Sequence, residues 1–210
     1  MTGLAHPVVN LVVVRHGESA TNAANVFTGW SNPPLTALGR DEAASVAHRL
    51  AQAGLSPTRI FSSPASRATE TVAIVQEMLA GSVPVTLVPA LNERDYGALT
   101  GRNKDEAAAE FGAAQVRRWR RAYAAAPPDG ESLRDTAARV LAAYVHVILP
   151  AAMAGGTTLV VSHGNTLRAL CMALDGLDAA AVEGFDLSTG ATILYALSET
   201  TAIVRRAVLI

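Results

Sequence analysis

Two short apolar runs constrain the fold of this chain more than any other feature. Val8–Val14 and Thr157–Val161 are rich in β-branched residues and lack the apolar–polar alternation of a half-exposed strand. Runs of this kind are typical of strands buried on both faces, which occur in parallel sheets covered by helices. The sequence therefore predicts an α/β protein, a three-layer α/β/α sandwich with a mostly parallel central sheet.

The remaining elements alternate between strand and helix patterns. Further strands are predicted at Ile60–Phe61, Val83–Val88, Ala191–Leu197 and Ala202–Val208. Helices are predicted from Thr36 to Gln52, from a cap at Ser63-Pro64, within Asn103–Tyr123, over Leu133–Met153 with a Ser132–Asp135 capping pair, and over Thr166–Leu174. Because no linker-like segment interrupts this order, we expect one domain over residues 1–210.

Composition excludes several classes of protein. Half of the 210 residues are apolar and the net charge is −1, which argues against disorder and against a general nucleic-acid binder. The apolar stretch Ala137–Ile148 is interrupted by Arg139 and His146, so no membrane span is expected. The N-terminus shows no secretory signal pattern, and Cys171 is the only cysteine, which excludes an intrachain disulfide. These features favour a cytoplasmic location.

A strand–histidine–glycine pattern occurs twice. Arg15-His16-Gly17 and Ser162-His163-Gly164 each follow one of the two apolar runs. Loops at the carboxyl ends of parallel strands line the ligand crevice of an open α/β sheet, and glycine lets the backbone approach a ligand closely. The pattern therefore predicts that His16 and His163 meet in one site, against the alternative of two unrelated histidines.

The histidine pair favours phosphoryl transfer over other chemistries. Metal-ligand spacings, nucleotide-binding glycine loops and the serine-hydrolase elbow are all absent from the sequence, so no metal is expected. A neutral imidazole can act as the nucleophile if cations surround the phosphoryl oxygens and an acid protonates the leaving group. Arg15 and Arg67 are the candidate cations, and Glu93 is the candidate acid. Arg168 is expected to face away.

Motifs along most of the chain resemble those of the histidine phosphatase superfamily and, within it, the cofactor-dependent phosphoglycerate mutases. They include Arg15-His16-Gly17-Glu18-Ser19-x-x-Asn22, Phe27-Thr28-Gly29-Trp30, Ser66-Arg67-Ala68, Leu91-Asn92-Glu93-Arg94-x-Tyr96-Gly97, Trp119-Arg120-Arg121, Glu131-Ser132-Leu133 and Ser162-His163-Gly164-Asn165. The Arg-His-Gly element alone would indicate only the superfamily. The Phe-Thr-Gly-Trp and Leu-Asn-Glu-Arg elements indicate the mutase branch.

The resemblance implies a role for each matched residue. His16 would be the nucleophile that becomes phosphorylated, Arg15, Arg67 and His163 would hold the transferring group, and Glu93 would act as general acid and base. The implied substrate-binding positions are Arg15, His16, Gly17, Glu18, Ser19, Asn22, Thr28, Gly29, Arg67, Glu93, Arg94, Tyr96, Lys104, Arg120, Arg121, Gly164 and Asn165. Without the resemblance, the arginines at 117, 120 and 121 would be interpreted first as a solvated basic face and second as a nucleic-acid patch.

The expected activity is interconversion of 3-phosphoglycerate and 2-phosphoglycerate, primed by 2,3-bisphosphoglycerate and requiring no metal. A phosphomonoesterase on the same scaffold and a non-catalytic phospho-ligand binding module are the alternatives. Small phosphoglycerates are the expected partners, without nucleic acid or membrane.

Two departures from the family stand out: only Asp129-Gly130 separates Pro128 from Glu131, and the sequence ends at Ile210 without the common C-terminal tail. Those parts contribute to subunit contacts in the family, so a monomer and a homo-oligomer both stay open.

Overall fold

A single mixed sheet forms the centre of the fold. The computed structural model describes residues 9–210, so Val8 of the first predicted strand lies outside the described residues. The strands are β1 (Val9–Arg15), β2 (Pro57–Ser62), β3 (Val85–Leu87), β4 (Thr157–Ser162), β5 (Thr192–Leu197) and β6 (Ile203–Leu209). Their order is β3-β2-β4-β1-β5-β6, with β5 antiparallel to both of its neighbours and the other pairs parallel. The predicted mostly parallel sheet is confirmed.

Helices occupy both faces of this sheet. The helices of the described residues are α1 (Ala20–Ala23), α2 (Ala37–Gln52), α3 (Ser66–Met78), α4 (Lys104–Phe111), α5 (Ala113–Arg121), α6 (Leu133–Ala143), α7 (Leu149–Met153), α8 (Gly164–Leu174) and α9 (Ala181–Gly184). Short 3₁₀ turns lie at Pro89–Leu91 and Gly97–Leu99.

The two faces of β1 show why the chain forms three layers. Val12 and Val14 pack with Val46 of α2 and Val72 of α3 on one side. The alternate residues of β1 pack with α6, α7 and α8 on the other side. Successive strand residues point to opposite faces, so a strand with an unbroken apolar run such as Leu11–Val14 must be covered on both sides.

The helix over Leu133–Met153 is continuous but irregular. Residues Tyr144–Ile148 form a π-turn between α6 and α7, just before Pro150. Proline has no N–H to donate and its ring clashes with the preceding turn, and a widened turn accommodates both effects. The predicted Ser132–Asp135 capping box is confirmed.

This helix is also long and apolar enough to cross a membrane by length and composition, the one helix within residues 9–210 that meets this test. The sequence analysis considered only the shorter apolar stretch Ala137–Ile148, so it underestimated the apolar length of this helix. In the structure the helix buries Val140 and Ile148 in the core, and Arg139 forms an ion pair with Glu131. These contacts show that one face of the helix packs on the core, with 33% of its most apolar window buried.

Two predicted element boundaries were wrong. Helix α3 begins at Ser66 with Ala65 as its N-cap, and the Ser63 hydroxyl contacts both the Ala65 N–H and the His163 ring. Strand β3 is limited to three residues at the exposed edge of the sheet.

The helical region Asn103–Tyr123 is split at Gly112, whose positive φ of 85° ends α4.

Candidate active site

The carboxyl ends of two strands bring the predicted histidines together. β1 and β4 are parallel neighbours with Arg15 opposite Ser162, so the next residues, His16 and His163, lie side by side. Their ring centroids are 4.9 Å apart, with an angle of 64° between the rings. Both side chains are buried. The expectation that the doubled pattern forms one site is therefore met by the backbone register.

Arg67 links the two imidazoles. Its Nε donates to His16 Nε2 and to His163 Nδ1, each at 3.2 Å. The remaining nitrogens donate to the carbonyls of Ser31 and Gly29, at 2.9 and 3.4 Å. Burial lowers the pKa of Arg67 to about 10, against an opposing effect of Glu93. The guanidinium thus stays charged at neutral pH and lies at the floor of the site.

His16 presents a neutral nitrogen to this floor. Its Nδ1 lies 2.6 Å from the Gly17 carbonyl oxygen, which can only accept, so Nδ1 carries the proton and Nε2 keeps its lone pair. Burial, followed by the charges of Arg67 and Arg15, lowers the pKa of His16 well below its ordinary value. The imidazole is accordingly uncharged at pH 7, as a nitrogen nucleophile must be.

His163 is held in the complementary tautomer. Because Arg67 donates to its Nδ1, the ring proton is on Nε2, which lies 2.7 Å from Ser63 Oγ. Burial, Arg67 and then His16 lower the pKa of His163 well below its ordinary value. Sequence reasoning had assigned Ser63 to a helix cap and missed this contact, which arises because β2 lies next to β4 in the sheet.

Glu93 lies at the amino end of α8. Its carboxylate accepts from the backbone N–H groups of Arg94 at 2.7 Å and Asn165 at 3.2 and 3.4 Å. The backbone carbonyl of Glu93 accepts from Trp30 Nε1 at 2.8 Å and Arg139 Nη2 at 3.1 Å. The side chain therefore faces the site, while its backbone is held from the other side.

A cleft of about 460 Å³ opens above these residues. Its charged lining residues are Arg15, Lys104, Arg117, Arg120, Arg121 and Arg168 on the positive side and Glu93, Glu183 and Asp186 on the negative side. The uncharged predicted residues that line it are Asn22, Thr28, Tyr96, Gly164 and Asn165. The excess of cations makes the cleft suited to an anion that carries more than one charge.

Among residues 9–210, two of the cations lack protein partners for part of their charge. Nε of Arg15 is buried without a hydrogen-bond acceptor in this part of the chain. Burial and the nearby Arg120 and Arg15 lower the pKa of Lys104. A buried donor without an acceptor and a cation crowded by like charges are both stabilised by a bound anion.

Comparison with known proteins places the chain in a family. The profile of the histidine phosphatase superfamily (branch 1) matches residues 11–208. The chain belongs to this superfamily. The resemblance inferred from the motifs is confirmed.

Curated relatives in the superfamily share the name of one enzyme. A protein of Methylobacterium radiotolerans named 2,3-bisphosphoglycerate-dependent phosphoglycerate mutase is 50% identical over 200 residues, covering 95% of this chain and 94% of that protein. A protein of the same name from Xanthobacter autotrophicus is 48% identical, covering 93% and 95%.

Solved structures in the superfamily are more distant in sequence. Bacillus stearothermophilus YhfR superimposes with a TM-score of 0.82 at 27% identity, covering 95% of both chains. A mycobacterial glucosyl-3-phosphoglycerate phosphatase in complex with VO3 gives 0.80 at 26% identity, covering 96% of this chain and 98% of that one.

Eight of the superfamily-matched residues do not line the cleft, and four of these also lie outside the floor formed by His16, Gly29, Arg67 and His163. Glu18 accepts a hydrogen bond from the Thr36 hydroxyl at 2.8 Å. Ser19 is buried, and its hydroxyl donates to Asn22 Oδ1 at 2.8 Å. Arg94 is fully buried, with its guanidinium 4.5 Å from the centroid of the Tyr96 ring. Gly17 packs against α2, and the floor beneath the cleft is formed by His16, Arg67 and His163 with the Gly29 carbonyl.

The expectation for the orientation of Arg168 was wrong. It does not face away: it lines the cleft and is nevertheless almost fully buried. Its guanidinium donates to the Arg121 and Val182 carbonyls at 3.1 and 2.7 Å and to Asn165 Oδ1 at 2.9 Å. It therefore ties α5, α8 and the segment of α9 together. Asp186, which bonds to Arg121 at 3.2 Å, carried no motif in the sequence and was missed.

The described residues contain no group of three or more His, Cys, Asp or Glu side chains arranged to hold a metal ion.

Proposed function

We propose that the chain is an isomerase that interconverts 3-phosphoglycerate and 2-phosphoglycerate through a phosphohistidine on His16. The observation that carries this proposal is the neutral His16 Nε2 beside the Arg67 guanidinium, beneath a cleft with six cations. The names of relatives that are 44–50% identical over more than nine-tenths of the chain support the same reaction.

The residues present fit 2,3-bisphosphoglycerate as the priming donor. When bound, it supplies the phosphoryl group that charges the enzyme for its first turnover. The unpaired Arg15 Nε suits a phosphoryl oxygen over the floor of the site. Lys104, Arg120 and Arg121, on the cleft wall, would hold the second phosphate or the carboxylate, together with the polar groups of Tyr96 and Asn165.

The chemical step uses groups of this chain alone. Nε2 of His16 attacks phosphorus, the bond from phosphorus to the substrate oxygen breaks, and Glu93 gives its proton to that oxygen. Arg15 and Arg67 donate to the phosphoryl oxygens, where charge accumulates, and His163 holds Arg67 in place by accepting its Nε–H at Nδ1. In the return step Glu93 takes the proton from the other hydroxyl, whose oxygen attacks the phosphorus and releases His16. No metal ion takes part in this scheme.

Labelling of the protein tests this proposal. Incubation with 2,3-bisphosphoglycerate in EDTA should give an acid-labile, alkali-stable phosphoprotein that isomerises 3-phosphoglycerate. His16→Ala should lose label and turnover together while the thermal unfolding curve stays cooperative. His48→Ala, which removes an exposed histidine of α2, is the matched control. A fully active His16→Ala variant, or activity that EDTA abolishes and a divalent metal restores, would contradict the mechanism.

A phosphomonoesterase is the second candidate. It is favoured by the solved structural relative whose name is a phosphatase, at 26% identity. We rank it lower because the mutase-named relatives are nearly twice as similar. We further propose that the chain acts as one catalytic domain in the cytoplasm, on small phosphoglycerates and without nucleic-acid or membrane partners.

A further inference from the structure

Arg139 holds the loop that carries Glu93. Its Nη1 donates to the carbonyls of Ala90 at 2.6 Å and Asn92 at 2.9 Å. Its Nη2 donates to the carbonyl of Glu93 itself at 3.1 Å. One guanidinium therefore binds three carbonyls within a stretch of four residues.

The other edge of this guanidinium is fixed by Glu131. Nε and Nη2 of Arg139 each lie 2.8 Å from one carboxylate oxygen of Glu131, a bidentate pair with both side chains about four-fifths buried. The hydrogen bond from Arg139 keeps the pKa of Glu131 low although burial opposes this. Glu131 also accepts from the Asp95 backbone N–H at 3.0 Å, so the pair holds the loop on both sides of Glu93.

The Arg139–Glu131 pair is anchored to the helix α6. Arg139 belongs to α6, which begins with the capping box of Ser132 and Asp135 and buries Val140 in the core. A bidentate arginine–carboxylate pair has a defined orientation, which a lysine or a single hydrogen bond does not provide. The position of the Glu93 loop is thus set by the position of a core helix.

We propose that Arg139 is a positioning residue for Glu93. The inference rests on the proposed function, in which Glu93 protonates the leaving oxygen. Arg139 contacts the Glu93 carbonyl and not its carboxylate, so its contribution is geometric. Displacement of a catalytic group by about 1 Å costs on the order of 10²-fold in rate.

The nature of the leaving group provides the test. From 2,3-bisphosphoglycerate the monophosphoglycerate leaves as a strongly basic alkoxide and needs an acid, whereas the nitrophenolate of p-nitrophenyl phosphate leaves without protonation. Labelling of His16 is therefore measured in single turnovers with each of these two donors, for the wild type, Glu93→Gln and Arg139→Met. We expect Arg139→Met to slow labelling by 2,3-bisphosphoglycerate by about 10²-fold, and labelling by p-nitrophenyl phosphate by less than about threefold.

Arg134→Met, an exposed arginine on the same helix, is the matched control and should behave as the wild type. Arg139→Lys keeps one charged donor, so its labelling rate should fall less than that of Arg139→Met. If the methionine variant does not fold, the lysine variant is compared with the wild type in its place. Equal losses with both donors, or no loss, in the Arg139 variants would overturn the inference. An equal loss with both donors in Glu93→Gln would instead refute the acid role of Glu93, and the inference would fall with it.

Discussion

At the scale of single residues, the site depends on two buried imidazoles that stay neutral. His16 and His163 share one guanidinium, and their hydrogen-bond partners within residues 9–210 include no carboxylate. A protonated ring here would be desolvated and repelled by Arg67 and Arg15. The same environment that excludes the proton leaves a lone pair on His16 for attack on phosphorus.

This neutrality predicts a pH dependence of stability. Below about pH 6.5 the unfolded histidines bind protons that native His16 and His163 do not, so the free energy of unfolding should fall as pH is lowered. The limit is about 1.4 kcal/mol per pH unit for each of the two histidines. His163→Gln should reduce the slope between about pH 6.5 and 5, measured by urea unfolding.

The control for this experiment is His146→Gln, which removes an exposed histidine from the π-turn and should leave the slope unchanged. Native carboxylates add to the pH dependence in both variants, so the difference between the slopes isolates His163. An unchanged slope in His163→Gln would show that the native ring is protonated over this range.

Sequence reasoning located the reacting residues better than their neighbours. His16 and His163 were predicted to meet because each follows a buried strand, and the parallel register of β1 and β4 places them side by side. The Ser63 contact could not be predicted, since it depends on β2 lying next to β4. Arg94 matches a family motif, but its burial against Tyr96 is set by packing that the motif does not encode.

At the scale of elements, the segment that follows β1 meets the first turn of α2 backbone against backbone. A Cβ built on Gly17 would lie 2.0 Å from the Gly39 carbonyl oxygen, and one on Gly39 would lie 2.0 Å from that of Glu18. The Thr36 N–H also donates to the Glu18 carbonyl at 2.9 Å, just before α2 begins. This close approach packs α2 directly behind the segment that follows His16.

The junction reverses the usual effect of alanine in a helix. Glycine to alanine within a helix normally stabilises by about 1 kcal/mol, but Gly39→Ala would drive a methyl group into backbone. We expect the variant to lose about 1–3 kcal/mol of stability, a decrease of about 2–4 °C in Tm per kcal/mol. Gly81→Ala, where the nearest atom is 3.9 Å away, should be neutral or slightly stabilising. A Gly39→Ala variant with raised Tm would refute the contact.

At the scale of the whole molecule, the cleft joins segments that are far apart in the chain. α4 and α5 pack on Phe27, Tyr96 and Leu99 through Ala107 and Val116, and they form the wall that carries Lys104 and Arg120. The short turn after Pro128 packs on the same region, since the Ala98 N–H donates to the Pro128 carbonyl at 2.9 Å. The sequence predicted the cations from motifs, but Glu183 and Asp186 enter the cleft only through the packing of α9 against α5.

The cations on this wall should decide between isomerisation and hydrolysis. Both reactions share phospho-His16, and they differ in whether the monophosphoglycerate is retained or water attacks first. Within residues 9–210 no carboxylate pairs with Arg120, whereas Arg121 is bonded to Asp186, so Arg120 has the freer charge for the substrate. Arg120→Ala should lower kcat/KM for isomerisation by about 10–150-fold, the equivalent of about 1.5–3 kcal/mol for a charged hydrogen bond, and should raise the ratio of phosphate release to isomerisation.

Arg118→Ala is the matched control, because Arg118 lies on the same helix and lines a neighbouring cavity instead of the cleft. Isomerisation and phosphate release are assayed side by side on one sample of each variant. If the ratio is the same in both variants, retention does not depend on this cation, and if the wild type releases phosphate faster than it isomerises, the phosphomonoesterase assignment replaces the mutase.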